Sequence, residues 1–238
     1  MQLRLLALQE VDSAIAQLSH RRRTLPVHAE LERLRVDAAR LGAAQVAAET
    51  AVSDLEADQA RAETDLEPVR ERLARNQRRI ADGTVPDPKA LNSMVEEIEH
   101  LKKRIGALED AELEVMEQLE SAMTDRDDLR TQAGSMQGTI DEVTARRDTE
   151  VALLDAKVAD ARHERAGLAP DIPANLMALY DKLAASHGGV GAAELRQGRC
   201  TGCQLMVNAA DLRDIAAAPP DEVMRCEECG RILIRTPS

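Results

Sequence analysis

The sequence predicts a mainly α fold: a long antiparallel, kinked coiled-coil hairpin of helices, followed by a small C-terminal ribbon with four cysteines. Three observations predict it: an apolar repeat of 3.5 residues, two Cys-x-x-Cys pairs near the C-terminus, and a near absence of aromatic residues. The 238 residues contain no Phe, no Trp and one Tyr, although 44% are hydrophobic. A β-sandwich or barrel of this size draws on aromatic residues for its strands and core, so the composition excludes those classes.

The overall charge also excludes several functions. With 43 acidic against 31 basic residues, the formal net charge is −12. A protein of this charge does not coat nucleic acid or an anionic membrane without a local basic exception. No apolar run approaches the length of a membrane span, and the N-terminal stretch turns acidic at once without a signal-peptide cleavage site. We therefore expect a cytoplasmic protein that has no membrane partner.

The apolar repeat predicts two long helices. From Leu34 to Ile80, alternating steps of four and three residues pass through 14 positions, of which 11 are apolar. The pattern resumes at Leu91 and runs to Leu168 through 23 positions, of which 17 are apolar; its polar members include Lys157 and Glu164. A 3.5-residue period sustained this long is the signal of a coiled coil.

A short turn at residues 81–89 separates the two helices. Gly83 suits the C′ position of the first helix, Asp87 the N-cap of the second, and Pro88 its first turn. Two long helices joined by so short a loop form an antiparallel hairpin. The sequence therefore predicts a coiled-coil domain over residues 1–168, in which position i lies opposite roughly position 170 − i.

Kinks or hinges are expected along this hairpin. Pro26 interrupts the first helix, where the apolar register changes, and Pro68 removes another backbone donor. Four helical glycines favour further bends, the alternative being that they are merely tolerated: Gly42, Gly106, Gly134 and Gly138.

Charge is unevenly distributed along the hairpin. Residues 42–65 and 106–128, which we call the acidic band, hold 15 acids and 2 bases. Residues 66–105, the hairpin tip, hold 9 bases and 7 acids. One interpretation is a solvated surface with salt bridges that each contribute little. The other is that the tip, or the arginines at 21–23, contacts an acidic partner or RNA, with the tip residues Arg75, Arg78, Arg79 and Lys89 as candidates.

A second domain is predicted over residues 169–238. Two prolines at 170 and 173 end the coiled coil, and a short helix follows through Leu183, with Tyr180 packing where the ribbon meets the shaft. Residues 192–199 are expected to form a strand that leads into the first cysteine pair. A helix at 209–217 and strands at 205–207 and 231–235 complete the predicted module.

The four cysteines predict one structural Zn²⁺ site. Each Cys-x-x-Cys spacing lets two thiolates reach one ion from a tight turn, and the pairs Cys200/Cys203 and Cys226/Cys229 together complete a tetrahedron. Iron–sulfur or redox dithiol chemistry is the alternative. A catalytic zinc is disfavoured because four thiolates leave no open position. Metal binding is expected to supply much of the folding energy of so small a module, so zinc removal should unfold the ribbon and spare the coiled coil.

At this point the chain resembles a bacterial family of coiled-coil proteins with a C4-type zinc ribbon, long called domain of unknown function 164. The resemblance covers the whole chain and rests on the hairpin, the turn segment 85–91, the residues 198–203 around the first cysteine pair, and the string Cys226-x-x-Cys-Gly-Arg-Ile-Leu233. It implies a hairpin of kinked helices with the ribbon at its open end. Some members from flagellated bacteria resemble adaptors that bind an alternative sigma factor and flagellin messenger RNA. Only the four cysteines are transferred to this chain as site residues.

The sequence shows no catalytic constellation. Its five histidines are scattered, and the glycine-rich segment 188–191 follows a helix and lacks the lysine of a phosphate-binding loop. We therefore expect a non-enzymatic zinc-binding adaptor that acts through protein–protein contacts of the coiled coil and ribbon. A nucleic-acid-binding regulator that acts through the ribbon is the alternative, and an enzyme or chaperone-like scaffold ranks last. A monomer and a swapped dimer both remain open. The regulator would use six ribbon arginines: Arg196, Arg199, Arg213, Arg225, Arg231 and Arg235.

Overall fold

The computed structural model describes residues 2–235, so the first residue and the last three residues of the two predicted domains lie outside it. As the sequence predicts, the fold is mainly α. The helices are α1 (Gln2–Arg23), α2 (Pro26–Ala81), α3 (Pro88–Leu168), α4 (Ala174–Ser186) and α5 (Ala209–Ala217). The strands are β1 (Ala192–Arg196), β2 (Arg199–Cys200), β3 (Met224–Arg225) and β4 (Ile232–Arg235). None of the helices within these residues is both long and apolar enough to cross a membrane.

The contacts divide the chain into two compact units. The hairpin unit comprises residues 30–143, and the terminal unit combines residues 1–29 with residues 144–238. Helix α3 does end at Leu168, where the coiled coil was expected to end. The terminal unit nevertheless includes α1 and the last part of α3, because these pack against the C-terminal module.

The hairpin unit confirms the predicted seam. All 14 seam positions from Leu34 to Ile80 are buried or half-buried, and so are the α3 positions from Met94 to Val143. The first predicted α3 position, Leu91, is 38% exposed, because it lies in the first turn of the helix beside the loop. Arg72, expected opposite residue 98, pairs with Glu97, and Arg70 Nη2 lies 2.7 Å from Glu109 Oε1. The two helices therefore run antiparallel, with apolar side chains between them and ion pairs along the edge.

The turn between α2 and α3 also forms as expected. Gly83 has a φ of 64°, in the left-handed region that a residue with a side chain rarely adopts. Asp87 caps α3, because its Oδ1 accepts hydrogen bonds from the backbone N–H groups of Lys89 and Ala90 at 2.9 and 2.8 Å. The sequence thus fixes both ends of the loop.

The expected interruptions have mixed outcomes. A break between Arg23 and Pro26 separates α1 from α2, whereas α2 continues through Pro68. A Cβ atom would meet nothing within 4 Å at any of the four helical glycines, so close packing does not require glycine there. Bends at Pro68 and at these glycines stay a prediction.

In the terminal unit the α3 pattern differs from the predicted one. Lys157 and Glu164, which the strict repeat placed in the seam, are exposed, whereas Val158 is buried and Arg165 half-buried. The prediction for positions 157 and 164 is wrong, because the inward face here follows Leu154, Val158 and Arg165. The reason is physical: Val158 buries apolar area, and Arg165 binds an acidic residue of α1.

The sheet has the strand order β2–β1–β4–β3. Strands β1 and β4 are parallel, and each outer strand is antiparallel to its neighbour. Successive side chains point to opposite faces of a strand. Ile232 and Ile234 accordingly pack with Leu5, Leu8 and Tyr180, and no part of Tyr180 is exposed, which confirms it as a packing residue.

The opposite face of the sheet belongs to the cysteine module. Leu233 packs there with Ala193, Ile215 and two of the cysteines, Cys200 and Cys226. Helix α5 supplies Ile215 and occupies the predicted residues 209–217; the Asn208 side chain caps it. The strip of sheet is therefore buried on both faces.

Two predicted strands are corrected. The strand expected over residues 192–199 divides into β1 and β2, because Gln197 and Gly198 adopt positive φ values of 52° and 72° and form a tight turn. Residues 205–207 form a single bridge, between Met206 and Arg199, rather than a strand. These segments are too short for side-chain alternation to define a strand.

Helix α1 is fixed to the C-terminal module by buried polar contacts. The Gln9 side chain accepts hydrogen bonds from the N–H groups of Gly191 (2.7 Å) and Ala192 (3.2 Å) and donates one to the Gly189 carbonyl (2.9 Å). One turn further on, Asp12 accepts from the Tyr180 hydroxyl at 2.8 Å and from Arg165 Nε at 2.6 Å. An N-terminal helix thus completes a module that lies at the other end of the sequence.

One seam residue of the hairpin predicts a gain in stability. Asn76 is 8% exposed, and its Nδ2 has no hydrogen-bond partner among the described residues. Because a buried donor without a partner costs about 1–3 kcal/mol, Asn76→Leu is expected to raise the free energy of unfolding by about that amount. Urea denaturation followed by circular dichroism measures it. The same change at the exposed Asn92 is the control and should have little effect; a destabilised Asn76→Leu variant would contradict the prediction.

Candidate metal centre

The two cysteine pairs sit on turns of the same geometry. In the first turn, Cys200 donates its N–H to the Leu205 carbonyl at 3.0 Å, and its carbonyl accepts from Gln204 at 2.8 Å. In the second turn, Cys226 donates to the Arg231 carbonyl at 2.9 Å and accepts from Gly230 at 2.7 Å. The spacings are identical, so two matched turns present four thiols to one point.

Each turn needs a left-handed residue one position after its second cysteine. Gly230 has a φ of 68° and Gln204 a φ of 65°. For a residue with a side chain this conformation costs about 1–2 kcal/mol. The second turn uses glycine and avoids that cost, whereas the first turn holds Gln204 in place with a hydrogen bond from its Nε2 to the Thr201 carbonyl at 2.7 Å.

The four sulfur atoms fit a tetrahedral zinc ion. All four Sγ atoms lie within 4.8 Å of one another, and the Cys200–Cys229 and Cys203–Cys226 separations are each 3.9 Å. A tetrahedron with Zn–S bonds of about 2.3 Å requires sulfur atoms about 3.8 Å apart. Two cysteines are buried and two half-buried, so the centre is largely closed to solvent. One structural Zn²⁺ is therefore the group that this donor set fits.

The surroundings of the thiols influence their ionisation. Burial raises the pKa of Cys200, and it raises the pKa of Cys226 to about 12. Burial also acts on Cys229, but hydrogen bonds from the backbone and side chain of Arg231 and from neighbouring thiols outweigh it and lower its pKa to about 7. Cys229 therefore binds metal readily as a thiolate, whereas the two buried thiols, Cys200 and Cys226, lose their protons only when the metal binds.

Arg231 proves to be a structural residue beside the metal centre. Its Nε donates to the Val190 carbonyl at 2.9 Å and its Nη2 to the His187 carbonyl at 3.2 Å. The side chain passes so close to Gly202 that a Cβ there would lie 2.7 Å from Arg231 Cδ. The sequence offers Arg231 as a candidate partner contact, which stays a prediction; in the structure its guanidinium joins the second cysteine turn to the loop that precedes β1.

The other candidate contact residues lie beside the first cysteine turn or in the hairpin unit. Arg199 is exposed, and its Nη1 donates to the Gln204 carbonyl at 2.7 Å. In the hairpin unit, Arg75 is ion-paired with Glu71 at 3.3 Å. The remaining tip candidates are exposed and stand beside the α2–α3 turn: Arg78, Arg79 and Lys89.

Sequence reasoning missed two residues that support the metal centre. Thr201 ties the first cysteine turn to β1, because its Oγ1 accepts from the Glu194 N–H at 2.9 Å and its own N–H donates to the Glu194 carbonyl at 3.0 Å. Gln9 binds the entrance to the same strand from α1. Neither residue lies in a recognisable motif. The one available signal in the sequence is for Gln9: a glutamine that directly follows Leu8 on the apolar side of a predicted helix indicates a buried polar contact.

Zinc removal is expected to release one face of the sheet. Without the metal, the cysteine turns and α5 lose their common anchor, whereas Leu8 and Leu176 still pack on the other face of the sheet. Treatment with a strong chelator should therefore collapse the methyl NMR signals of Ile215 and preserve those of Leu8 and Leu176, and added zinc should restore them. Unchanged Ile215 signals after metal analysis proves zinc removal would contradict this.

The paired left-handed positions allow a matched test of the turns. Gly230→Ala introduces a side chain at positive φ, and its Cβ would approach Arg225 Nη2 to 3.1 Å. A cost of about 1–2 kcal/mol predicts zinc binding weaker by roughly tenfold, measured by competition with a chromophoric chelator. Gln204→Gly is the counterpart: it relieves the same strain but loses the Thr201 hydrogen bond, so its affinity should stay within a few-fold. Equal losses in both variants would refute the strain argument.

Comparisons with known proteins agree with this architecture. Residues 8–188 match the CT398-like coiled coil hairpin domain, and residues 199–233 match the C4-type zinc ribbon domain. An uncharacterized protein of Mycobacterium tuberculosis (strain H37Rv) is 30% identical over 97% of this chain and 94% of its own length. An uncharacterized protein of Mycobacterium leprae is 26% identical over 95% of this chain and 97% of its own length.

Solved structures show the same fold. A Mycobacterium smegmatis structure aligns with a TM-score of 0.86 at 31% identity, covering 99% of this chain and 97% of its own. The structure of CT398 from Chlamydia trachomatis aligns with a TM-score of 0.73 at 15% identity and the same coverage. At that identity the likeness concerns the fold alone. The chain therefore belongs to the family of CT398-like coiled-coil hairpin proteins that carry a C4-type zinc ribbon.

Proposed function

We propose that this protein is a non-enzymatic adaptor of the cytoplasm, in which zinc maintains the ribbon and protein–protein contacts carry the function. The four-thiolate centre supports a structural metal, since it leaves no position for substrate or water. Within residues 2–235, no other group of three or more His, Cys, Asp or Glu side chains is arranged to hold a metal ion. Coiled coils and zinc ribbons are both domains that commonly bind protein partners.

The observation that carries the proposal is the uncompensated charge at the hairpin tip. Four basic tip residues have acidic partners: Arg70, Arg72, Arg75 and Lys102. By contrast, the part of the chain that the structure describes holds no ion pair of Arg78, Arg79 or Lys89, and all three are exposed. Such charges contribute nothing visible to the fold, and they suit steering toward an acidic protein surface.

The ribbon arginines favour the adaptor over a nucleic-acid-binding regulator. One of the six, Arg196, pairs with Glu194. The other five donate hydrogen bonds to backbone carbonyl groups of the terminal unit: Arg199, Arg213, Arg225, Arg231 and Arg235. A guanidinium that already holds its own backbone has fewer donors left for phosphates. These contacts favour the adaptor, and the exposed Arg196, Arg199, Arg213 and Arg225 are the residues through which the regulator hypothesis is tested below.

The decisive experiment is affinity capture from native lysate with charge-reversed tips. The double variant Arg78→Glu and Arg79→Glu should lose a partner that the unmodified protein retains, because its tip becomes acidic. Arg33→Glu with Arg130→Glu is the matched control, since these shaft arginines are exposed and carry the same change in charge. Retention of every partner by the tip variant would refute the proposal.

The same variants test the alternative. A regulator that contacts several phosphates should shift RNA or DNA in gels, with an affinity that falls steeply as salt rises. We expect no such shift from the full chain. A salt-sensitive shift that survives in the tip variant and disappears when Arg196 and Arg199 are changed to Glu would instead favour recognition by the ribbon.

A further inference from the structure

Helix α3 carries a second apolar stripe that nothing within the described hairpin covers. Leu113, Met116 and Met123 are 57%, 45% and 39% exposed. They follow the seam positions 112, 115 and 122 by one residue each, so they repeat with the seam's period on the adjacent face of the helix. The seam packs against α2, and this second stripe remains in solvent.

The stripe forms the floor of a groove that runs along α3. The groove has a volume of about 430 Å³; Leu119 continues its apolar floor and Gln59 of α2 faces it. From Leu113 to Met123 it extends about 15 Å, or three helical turns. A groove of this length accommodates apolar side chains spaced i, i+3 or i+4, and i+7 on a second helix.

The rim of the groove is acidic. Glu117, Glu120 and Asp127 line it, and it lies inside the acidic band, where 15 acids stand against 2 bases. Asp127 pairs with its neighbour Arg126, but the structure shows no ion pair for Glu117 or Glu120 among the described residues. The groove thus combines an apolar floor with a negatively charged rim. Neither the fold nor the metal centre requires this combination.

We propose that this groove is the docking site for a basic amphipathic helix of a partner protein. The inference deepens the adaptor function and rests on it. Methionine and leucine side chains form adaptable apolar floors for helices, and the acidic rim selects lysine and arginine at the flanks of the bound helix. The same rim repels nucleic acid and the matching face of a second copy of this chain.

A synthetic helix provides the probe. A fluorescent peptide of about 18 residues has leucines along one face, at a period of 3.5 residues, and lysines elsewhere. The full-length, zinc-loaded protein should increase its anisotropy with saturation, and the affinity should fall as salt rises. A scrambled peptide of the same composition separates helix docking from bulk charge attraction and should bind at least about tenfold more weakly.

Paired variants locate the site. Changing Leu113, Met116 and Met123 together to Gln removes the apolar floor at unchanged charge, and Glu117→Lys with Glu120→Lys reverses the rim; each should weaken binding by about tenfold or more. Two controls carry the same chemistry elsewhere on the hairpin: Val36→Gln, which is 50% exposed, and Glu96→Lys with Glu142→Lys. Circular dichroism verifies that all variants are helical.

Four results would overturn the inference: no saturable binding of the amphipathic peptide, equal binding of the scrambled peptide, equal losses in the control variants, or self-association of the protein that the floor variants abolish. The last result would assign the groove to a second copy. The tip variant Arg78→Glu with Arg79→Glu should keep full peptide affinity. If the peptide does not bind at the groove but the tip variant still loses a captured partner, the groove proposal alone is refuted. If the peptide does not bind and the tip variant also retains every partner, the adaptor function is refuted as well.

Discussion

The parallel pairing of β1 with β4 is the constraint on which the terminal unit depends. It holds β4 in the centre of the sheet, where alternation directs Ile232 and Ile234 to one face and Leu233 to the other, and all three are at most 1% exposed. One face needs the helices α1 and α4 as a cover, and the opposite face needs the cysteine turns and α5. Both clusters share β4, so this one strand joins the metal centre to the helical packing.

Buried hydrogen bonds give this packing its specificity. The Tyr180 hydroxyl stays protonated, because burial and its hydrogen bond to Asp12 raise its pKa far above the ordinary value. Arg165 neutralises the same carboxylate, and its own pKa is raised by that hydrogen bond. Asp12 therefore accepts from two donors on two different elements. Apolar contacts alone would tolerate small shifts of α1, whereas these directional bonds define a single position.

How far the sequence predicts the structure depends on the range of the interactions. The seam, the Asp87 cap, the Gly83 turn and the helix at 209–217 follow from local patterns, and the four metal ligands follow from their spacing. The parallel β1–β4 pair joins residues about 40 positions apart, and no local pattern indicates it. Val158, rather than the predicted Lys157, faces inward, and this likewise depends on what α3 packs against. The structural contacts of Arg231, a candidate partner contact by sequence, are not evident from local patterns, because its two carbonyl acceptors become its neighbours only in the folded chain.

The contact between Gln9 and Gly189 has a consequence for how the protein is made. It joins residues 180 positions apart in sequence, so α1 leaves the ribosome long before its partners exist. At roughly 5–20 residues per second, synthesis of the intervening chain takes on the order of ten to forty seconds. The hairpin unit, whose partner helices are adjacent in sequence, can close during that interval. The apolar side of α1, with Leu5 and Leu8, stays without its cover during this interval, because that cover consists of residues 172–234.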